Sequence, residues 1–264
     1  MSGFSAEWLD LREPCDLRSR SEELVLALRS QLPSRPLQVI DLGAGTGSNI
    51  RYMASRLGGE QRWVAVDNDP TLIEGRNFPC DVAPRCLDLA SDLKALSLAG
   101  CQLVTASALL DLVSAAWMES LASRCVRARA AVLFALNYDG GVQLQPSETD
   151  DEWVIGLINL HQRGDKGFGP ALGPDATRHA CDVFAALGYQ SRIGASDWLI
   201  EPTEQALQRE LIAGWIGAAR EIAPLEEDRI ERWGRRRNAL VSAGMSRIRV
   251  GHQDFVAWPR APGE

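Results

Sequence analysis

The segment that most constrains this chain is Val39-Ile40-Asp41-Leu42-Gly43-Ala44-Gly45-Thr46-Gly47, an apolar run that meets an acid and then glycine at every second position. Glycines after a buried strand let the backbone turn sharply and approach a ligand closely, and the residues that follow, Ser48 to Leu57, have a helical pattern. Two details narrow the ligand. The glycines fall at Gly43, Gly45 and Gly47, whereas the dinucleotide pattern would put its third small residue at Ser48. Asp41 stands just before the glycines, where a carboxylate repels a pyrophosphate and suits a ligand carrying positive charge.

The rest of the chain supplies the sheet that such a loop needs. With 264 residues, about 45% of them apolar, it has enough material for one large α/β domain over residues 1–264. Strand-like runs alternate with helical patterns, the signature of a parallel sheet covered by helices. A helical arm over residues 1–35 carries a helix from about Ser19 to Gln31, closed by Pro33 and Pro36. Strands are expected at Leu37 to Leu42, Arg62 to Val66, around Arg85 to Leu87, Gln102 to Ala106 and Ala130 to Leu136. Asp69 caps a helix that has Pro70 at its first position, and a further helix runs from about Ala115 to Arg127. An insertion over residues 139–174 breaks the rhythm with a helix (Asp151 to Gln162) and a glycine-rich run. A helix (Asp175 to Leu187) and a strand (Tyr189 to Ile193) restore it. Residues 201–244 form a second, helical insertion before the last strand, Arg247 to Ala257.

Three acids then fall at three successive strand tips: Asp41, Asp67 after Trp63-Val64-Ala65-Val66, and Asp88 after Arg85-Cys86-Leu87. An acid at the second tip can take both hydroxyls of a ribose, and one at the third can accept from an adenine amino group. Each alone reads as a solvated loop residue or a helix cap. Together, after a glycine loop, they mark a ligand site.

Asp41-Leu42-Gly43-Ala44-Gly45-Thr46-Gly47, Val66-Asp67-Asn68-Asp69-Pro70 and Cys86-Leu87-Asp88-Leu89 resemble the successive cofactor motifs of class I S-adenosylmethionine-dependent methyltransferases. The resemblance is specific from about Val39 to Tyr138. It implies a Rossmann-like, doubly wound, seven-stranded sheet, mostly parallel with an antiparallel last strand, and S-adenosyl-L-methionine as cofactor. By the same resemblance Asp41 orients the methionine amino group, and Gly43, Ala44, Gly45 and Gly47 line the cofactor. Asp67 and Asn68 meet the ribose, and Asp88 and Leu89 the adenine. Thr105 to Asp111, with Ala106 and Ser107, matches the loop after strand four that faces both methionine and acceptor. Gln102 departs from the acid that the family often has there.

A methyl acceptor has to be held in line behind an activated methyl, away from water. His161-Gln162-Arg163-Gly164-Asp165-Lys166-Gly167-Phe168-Gly169 is read as part of a lid over residues 139–174, with Arg163 and Lys166 for an anionic group, Phe168 beside it and His161 as a base. Asn137 and Tyr138 follow strand five and reach the acceptor, and Asp111 joins His161 and Tyr138 as a candidate catalytic group. The plainer reading of the first stretch is a surface loop, and of Asn137-Tyr138-Asp139 a turn before Gly140-Gly141. Arg12-Glu13-Pro14-Cys15-Asp16 and Arg20 offer an arm that folds back over the cofactor. His252 and Asp254 in the last strand, and Trp198, read as structural.

A net charge of −7 does not suit a bare phosphate backbone, and the basic run Arg229 to Arg237 reads as the wet face of a charged helix. Six scattered cysteines without a close pair point to reduced thiols rather than a metal site, and no stretch spans a bilayer. Met1 to Glu13 lacks the basic start and apolar run of a secretory signal, so a cytoplasmic monomer or homodimer acting on a small molecule is expected. Three other functions remain open: an RNA or protein methyltransferase, a non-catalytic S-adenosylmethionine-binding protein, and a nicotinamide-dependent oxidoreductase, which the glycine spacing and Asp41 oppose.

Overall fold

The computed structural model describes residues 5–34 and 36–260, so the outer ends of the helical arm, residues 1–4 and 35, lie outside the described residues. In chain order the elements are α1 (Ala6–Ser19), α2 (Glu22–Arg29), β1 (Leu37–Leu42), α3 (Ser48–Leu57), β2 (Gln61–Asp67), β3 (Asp81–Cys86), α4 (Leu89–Asp92), β4 (Leu103–Ser107) and α5 (Ala115–Ala128). They continue with β5 (Ala131–Gln145), α6 (Asp151–Gln162), α7 (Ala176–Ala186), β6 (Tyr189–Ala195), β7 (Trp198–Ile200), α8 (Gln205–Ile222), α9 (Glu227–Ser242) and β8 (Arg247–Pro259).

The strands form one sheet in the order β3-β2-β1-β4-β5-β8-β6, with β7 also paired to β8. The first five strands pair in parallel, and β8 inserts antiparallel between β5 and β6. The order reverses beside β1, so the tips of β1 and β4 flank the crevice where such sheets bind ligands. Two apolar layers cover the faces. One contains Val25, Ile50, Met53, Leu133 and Trp233, and the other Val66, Met118, Leu121, Phe134 and Phe184. Among the described residues no helix is long and apolar enough to cross a membrane.

The expected seven strands become eight. The edge segment after α7 bends at Ser196, whose N–H donates to the His252 carbonyl at 2.9 Å, and resumes as β7 against the early half of β8. The turn expected at Asn137 to Gly141 is strand instead. β8 is 13 residues long, and β5 pairs with it along its length through two register shifts, the second spanning Tyr138 to Val142. Gly140 (φ 89°) and the Asp139 carboxylate, which accepts from the Gly141 N–H at 2.8 Å, absorb the extra residues. The irregular part of the first insertion therefore starts only after Gln145.

The arm holds a helix that its apolar pattern does not advertise. Ser5 caps α1 by accepting from the Trp8 N–H, and Pro14 sits inside the helix. Besides the packing of Trp8, Leu11, Cys15 and Leu17 against the core, ion pairs hold α1 in place. Asp10 pairs with Arg76, Glu13 with Arg51 and Arg18 with Glu204, so three separate regions grip it. The basic run on α9 is a wet face only in part, at the exposed Arg232 and Arg235. Arg229 and Arg236 bind Asp150, and Arg237 is fully buried against Asp151.

Candidate functional site

The glycine loop between β1 and α3 is left-handed at Gly43, Gly45 and Gly47. It is closed by a strand-tip acid. Asp67 accepts from the Gly45 N–H at 2.7 Å through Oδ2 and from the Asp69 N–H at 3.0 Å through Oδ1. Ala44 N–H adds a bond to the Val66 carbonyl, which ties the loop to β2. Asp88 caps α4 by accepting from the Ala90 N–H, and the Leu89 carbonyl accepts from the Trp117 indole at 2.7 Å. Asn68 follows directly on β2, and Ala106 and Ser107 end β4. The eleven residues assigned to a cofactor thus occupy the carboxyl ends of four neighbouring strands and the loops that leave them. Two shallow surface depressions lie at the opposite ends of the strands, one lined by Glu60, Arg62 and Asp81 and the other by Ala99 and Arg127.

Asp41 is the most unusual of these groups. It is 1% exposed, and its Oδ1 accepts from the Asn49 amide at 2.6 Å. The same amide donates to the Thr105 hydroxyl at 3.1 Å, while Asn49 Oδ1 accepts from Arg20 at 2.8 Å. Arg20 is itself buried, 3.4 Å from Asp254 and stacked over Tyr52. This chain fixes which way the Asn49 amide faces. Asp41 Oδ2 is left buried with no partner. Burial pushes the Asp41 carboxyl up to about 7, against the opposing pull of the Asn49 bond and the Arg20 charge. A buried acceptor without a donor is costly unless a ligand supplies one.

α1 lies across the glycine loop. A Cβ on Gly45 would come 3.1 Å from Leu9 Cδ1, and one on Gly47 would sit 2.4 Å from Phe78 Cε1. Gly47→Ala is therefore expected to lower stability by about 1–3 kcal/mol, the cost of a left-handed alanine that also clashes. Urea unfolding checks this, and Gly47→Ala with Phe78→Ala should recover the clash component but not the backbone component.

Past the glycine loop a second group of side chains gathers under the same helix. Asp111, in the single 3₁₀ turn Leu110–Leu112, is 7% exposed, and its Oδ1 is buried without a partner. Burial raises its carboxyl to about 6, opposed by backbone N–H groups and by the charge of Arg12 from α1. Arg12 donates to Asp16 at 2.8 Å and lies 5.2 Å from the Trp198 ring. Trp198 donates its indole N–H to Asp16 at 3.0 Å, with Trp8 at 6.4 Å and His252 at 5.1 Å between ring centroids. Tyr138 stands 6.2 Å from His252 on the other side. Its hydroxyl donates to Asn159 at 2.8 Å, and burial raises the phenol above its ordinary range. Burial, then Arg12, lowers His252 to about 3, so its imidazole is neutral. Asn137 is fully buried beside this group, donating to the Phe134 and Gln253 carbonyls while its own Oδ1 has no partner.

The insertion's side chains are engaged elsewhere. His161 meets Glu221 of α8 at 3.0 Å, and Lys166 stands 3.1 Å from the same imidazole. Arg163 pairs with Asp175 on an exposed surface, and Phe168 packs edge-on against Trp117 at 5.5 Å. The structure thus brings Asp111 and Tyr138 together, ties the Asn137 side chain to the Phe134 and Gln253 carbonyls, and gives His161, Arg163, Lys166 and Phe168 partners within the insertion and its supports. Trp8, Trp198 and His252 are the members of the cluster that sequence reasoning missed, whereas Arg12 belongs to the arm expected to fold back. A histidine and a tryptophan in strand-like runs look like core, and only the pairing of β7 with β8 sets them side by side.

No family model matches the sequence, and no curated protein matches it. Solved structures do share the fold. A cyclopropane-fatty-acyl-phospholipid synthase-like protein from Lactobacillus casei superposes with a TM-score of 0.55 at 14% identity, covering 93% of this chain and 92% of its own. A protein of Anaeromyxobacter dehalogenans named for a type II methyltransferase gives 0.50 at 14% identity, covering 91% and 97%. A phosphoethanolamine N-methyltransferase from Haemonchus contortus, solved with S-adenosylhomocysteine, gives 0.44 at 15% identity, covering 90% and 53%. The chain therefore has the Rossmann-like α/β fold of the first two of these proteins, with one short strand more than the seven expected from its sequence.

Proposed function

We propose that this chain is an enzyme that transfers the methyl group of S-adenosyl-L-methionine to a small molecule. The observation that carries the reading is the orphaned Asp41 Oδ2, buried at the strand tip beside a left-handed glycine loop. The donor set fits the cofactor. Asp41 would accept from its amino group, the backbone of Gly43, Ala44, Gly45 and Gly47 would lie along it, Asp67 and Asn68 would take the ribose, and Asp88 and Leu89 the adenine. When bound, the cofactor supplies an already activated methyl, so no protein nucleophile is needed.

The chain's own contribution is binding, alignment and the exclusion of water. Asn49 and Arg20 hold Asp41 in one orientation, and Asp67 fixes the curvature of the glycine loop. α1 roofs the loop through Leu9 and extends one helical turn further to Arg12. The strand-tip acids also speak against a nicotinamide dinucleotide, since Asp41 would face its pyrophosphate. The lid role assigned to residues 139–174 has its support in their position between α8 and the turn after β4, where the Leu172 N–H donates to the Val113 carbonyl. Arg163 and Lys166, the cations expected to hold an anionic acceptor, are engaged with Asp175 and His161.

Calorimetric titration of S-adenosylmethionine and S-adenosylhomocysteine into the wild type and Asp67→Ala tests this reading. The wild type should bind both saturably. Asp67→Ala should bind at least about 30-fold more weakly, because it loses two ribose contacts to a charged acceptor and frees the Gly45 N–H. A folded wild type that binds neither would overturn it.

A further inference from the structure

We propose that Trp8, Arg12, Asp111, Tyr138, Trp198 and His252 form the acceptor subsite, and that it selects an amine carried on an apolar body. The proposal rests on the methyltransferase reading for its purpose, but its selectivity stands on the cluster itself.

Position comes first. Asp111 lies two residues beyond Leu109, whose side chain would meet a Cβ on Gly43 at 3.6 Å. From the other side, Trp8 and Arg12 flank Leu9, the residue set against Gly45, on one face of α1. The cluster therefore adjoins the glycine loop, and both are covered by the same helix.

Hydrogen-bond polarity comes second. Asp111 Oδ1 is a buried acceptor without a donor. His252 Nδ1 lies 3.0 Å from the Val250 carbonyl, a contact that requires the proton on Nδ1. Its Nε2 is then a lone pair, a second acceptor. The Tyr138 hydroxyl is spent on Asn159, and the Trp198 indole N–H and the Arg12 Nε–H are spent on Asp16. Asp111 Oδ1 and His252 Nε2 have capacity for ligand groups that donate, as N–H groups do.

Charge and surface agree. Asp16 and Asp111 set two carboxylates against the guanidinium of Arg12, so with both ionised these three groups carry one net negative charge. A carboxylate ligand would add to that imbalance, and an ammonium cancels it. Two indoles and a phenol ring supply apolar walls whose faces attract cations, and Arg12 beside Trp198 shows that geometry already.

The test uses three probes of one shape: phenethylamine, 2-phenylethanol and 3-phenylpropionate. They are titrated into protein saturated with S-adenosylhomocysteine and into ligand-free protein. Phenethylamine should bind at least about tenfold more tightly than the alcohol, with the acid weakest. Asp111→Asn, nearly isosteric, should abolish the preference for the amine while changing the S-adenosylhomocysteine Kd less than about twofold. Trp198→Leu should weaken the amine and the alcohol together. Tightest binding by 3-phenylpropionate, binding by none of the three, or an amine preference that survives in folded Asp111→Asn would overturn the proposal. If S-adenosylhomocysteine does not bind, the methyltransferase reading fails, and the ligand-free titrations still decide the amine selectivity.

Discussion

Asp41→Asn should bind S-adenosylmethionine at least about 100-fold more weakly than the wild type and yet unfold at a higher temperature near pH 7 when no ligand is present. Both effects come from one buried carboxylate. In the ligand-free protein Asp41 Oδ2 has no donor, and burial lifts the group to about 7. In the unfolded chain it titrates as an ordinary carboxyl. Between those two values the folded protein holds a proton that the unfolded chain has released, so stability falls as pH rises from about 4 to about 7. Above that window the full penalty applies, on the order of 2–4 kcal/mol. Asparagine removes the charge while keeping an oxygen for the Asn49 amide. Thermal melts of the two proteins from pH 5 to pH 8 should diverge as pH rises, with the variant flatter. Wild-type affinity for the cofactor should rise over the same interval, by up to about tenfold per pH step of one, because a protonated Asp41 cannot pair with an ammonium. Curves that stay parallel would show that Asp41 does not titrate there.

Arg237→Met should be the most destabilising single change at any site outside the glycine loop, by about 3–5 kcal/mol in urea unfolding. Arg237 is fully buried. Its Nε donates to Asp151 Oδ1 at 2.9 Å and one terminal nitrogen to the Pro146 carbonyl at 2.8 Å. Trp233 adds an indole N–H to the same Asp151 oxygen at 2.8 Å. Removing the guanidinium leaves a nearly buried carboxylate with only the Trp233 and Glu148 N–H groups. Asp151→Asn in the same background should recover part of the loss, since the cost is chiefly the stranded charge. A loss under about 1 kcal/mol would mean that solvent reaches the pair.

How much of this was legible in the sequence follows from the range of the forces involved. The order from β1 to β5 and the glycine loop were readable, because local periodicity and strand-tip chemistry encode them. The helix at Asp151–Gln162 and the strand at Leu37–Leu42 fall where the pattern puts them. α1 was not readable as a helix. Ion pairs to Arg51, Arg76 and Glu204, far along the chain, help hold it, and its apolar contacts, Trp8, Leu11 and Cys15, are scattered among charged residues. The continuation of β5 past Tyr138 was hidden for a related reason. Asp139-Gly140-Gly141 has turn composition, and only the long partner β8 keeps it in the sheet. The burial of Arg237 shows the same limit, since a run of arginines and glutamates cannot announce that Asp151 waits across a helix interface. The strand-tip motifs pointed to the residues of the proposed cofactor half of the site. The cluster around Asp111 needed β7, β8 and α1 to be placed in space.

The placement of α1 has a thermodynamic consequence. One rigid segment contributes Leu9 against Gly45 and Trp8 and Arg12 to the neighbouring cluster, so two binding events share a wall. If the proposed cofactor and acceptor both enter beneath α1, each has to part it from contacts such as Glu13 with Arg51 and Asp10 with Arg76. Whatever free energy the first ligand expends on that rearrangement, the second is spared. The two occupancies are then linked with positive cooperativity, and by reciprocity each tightens the other by the same factor.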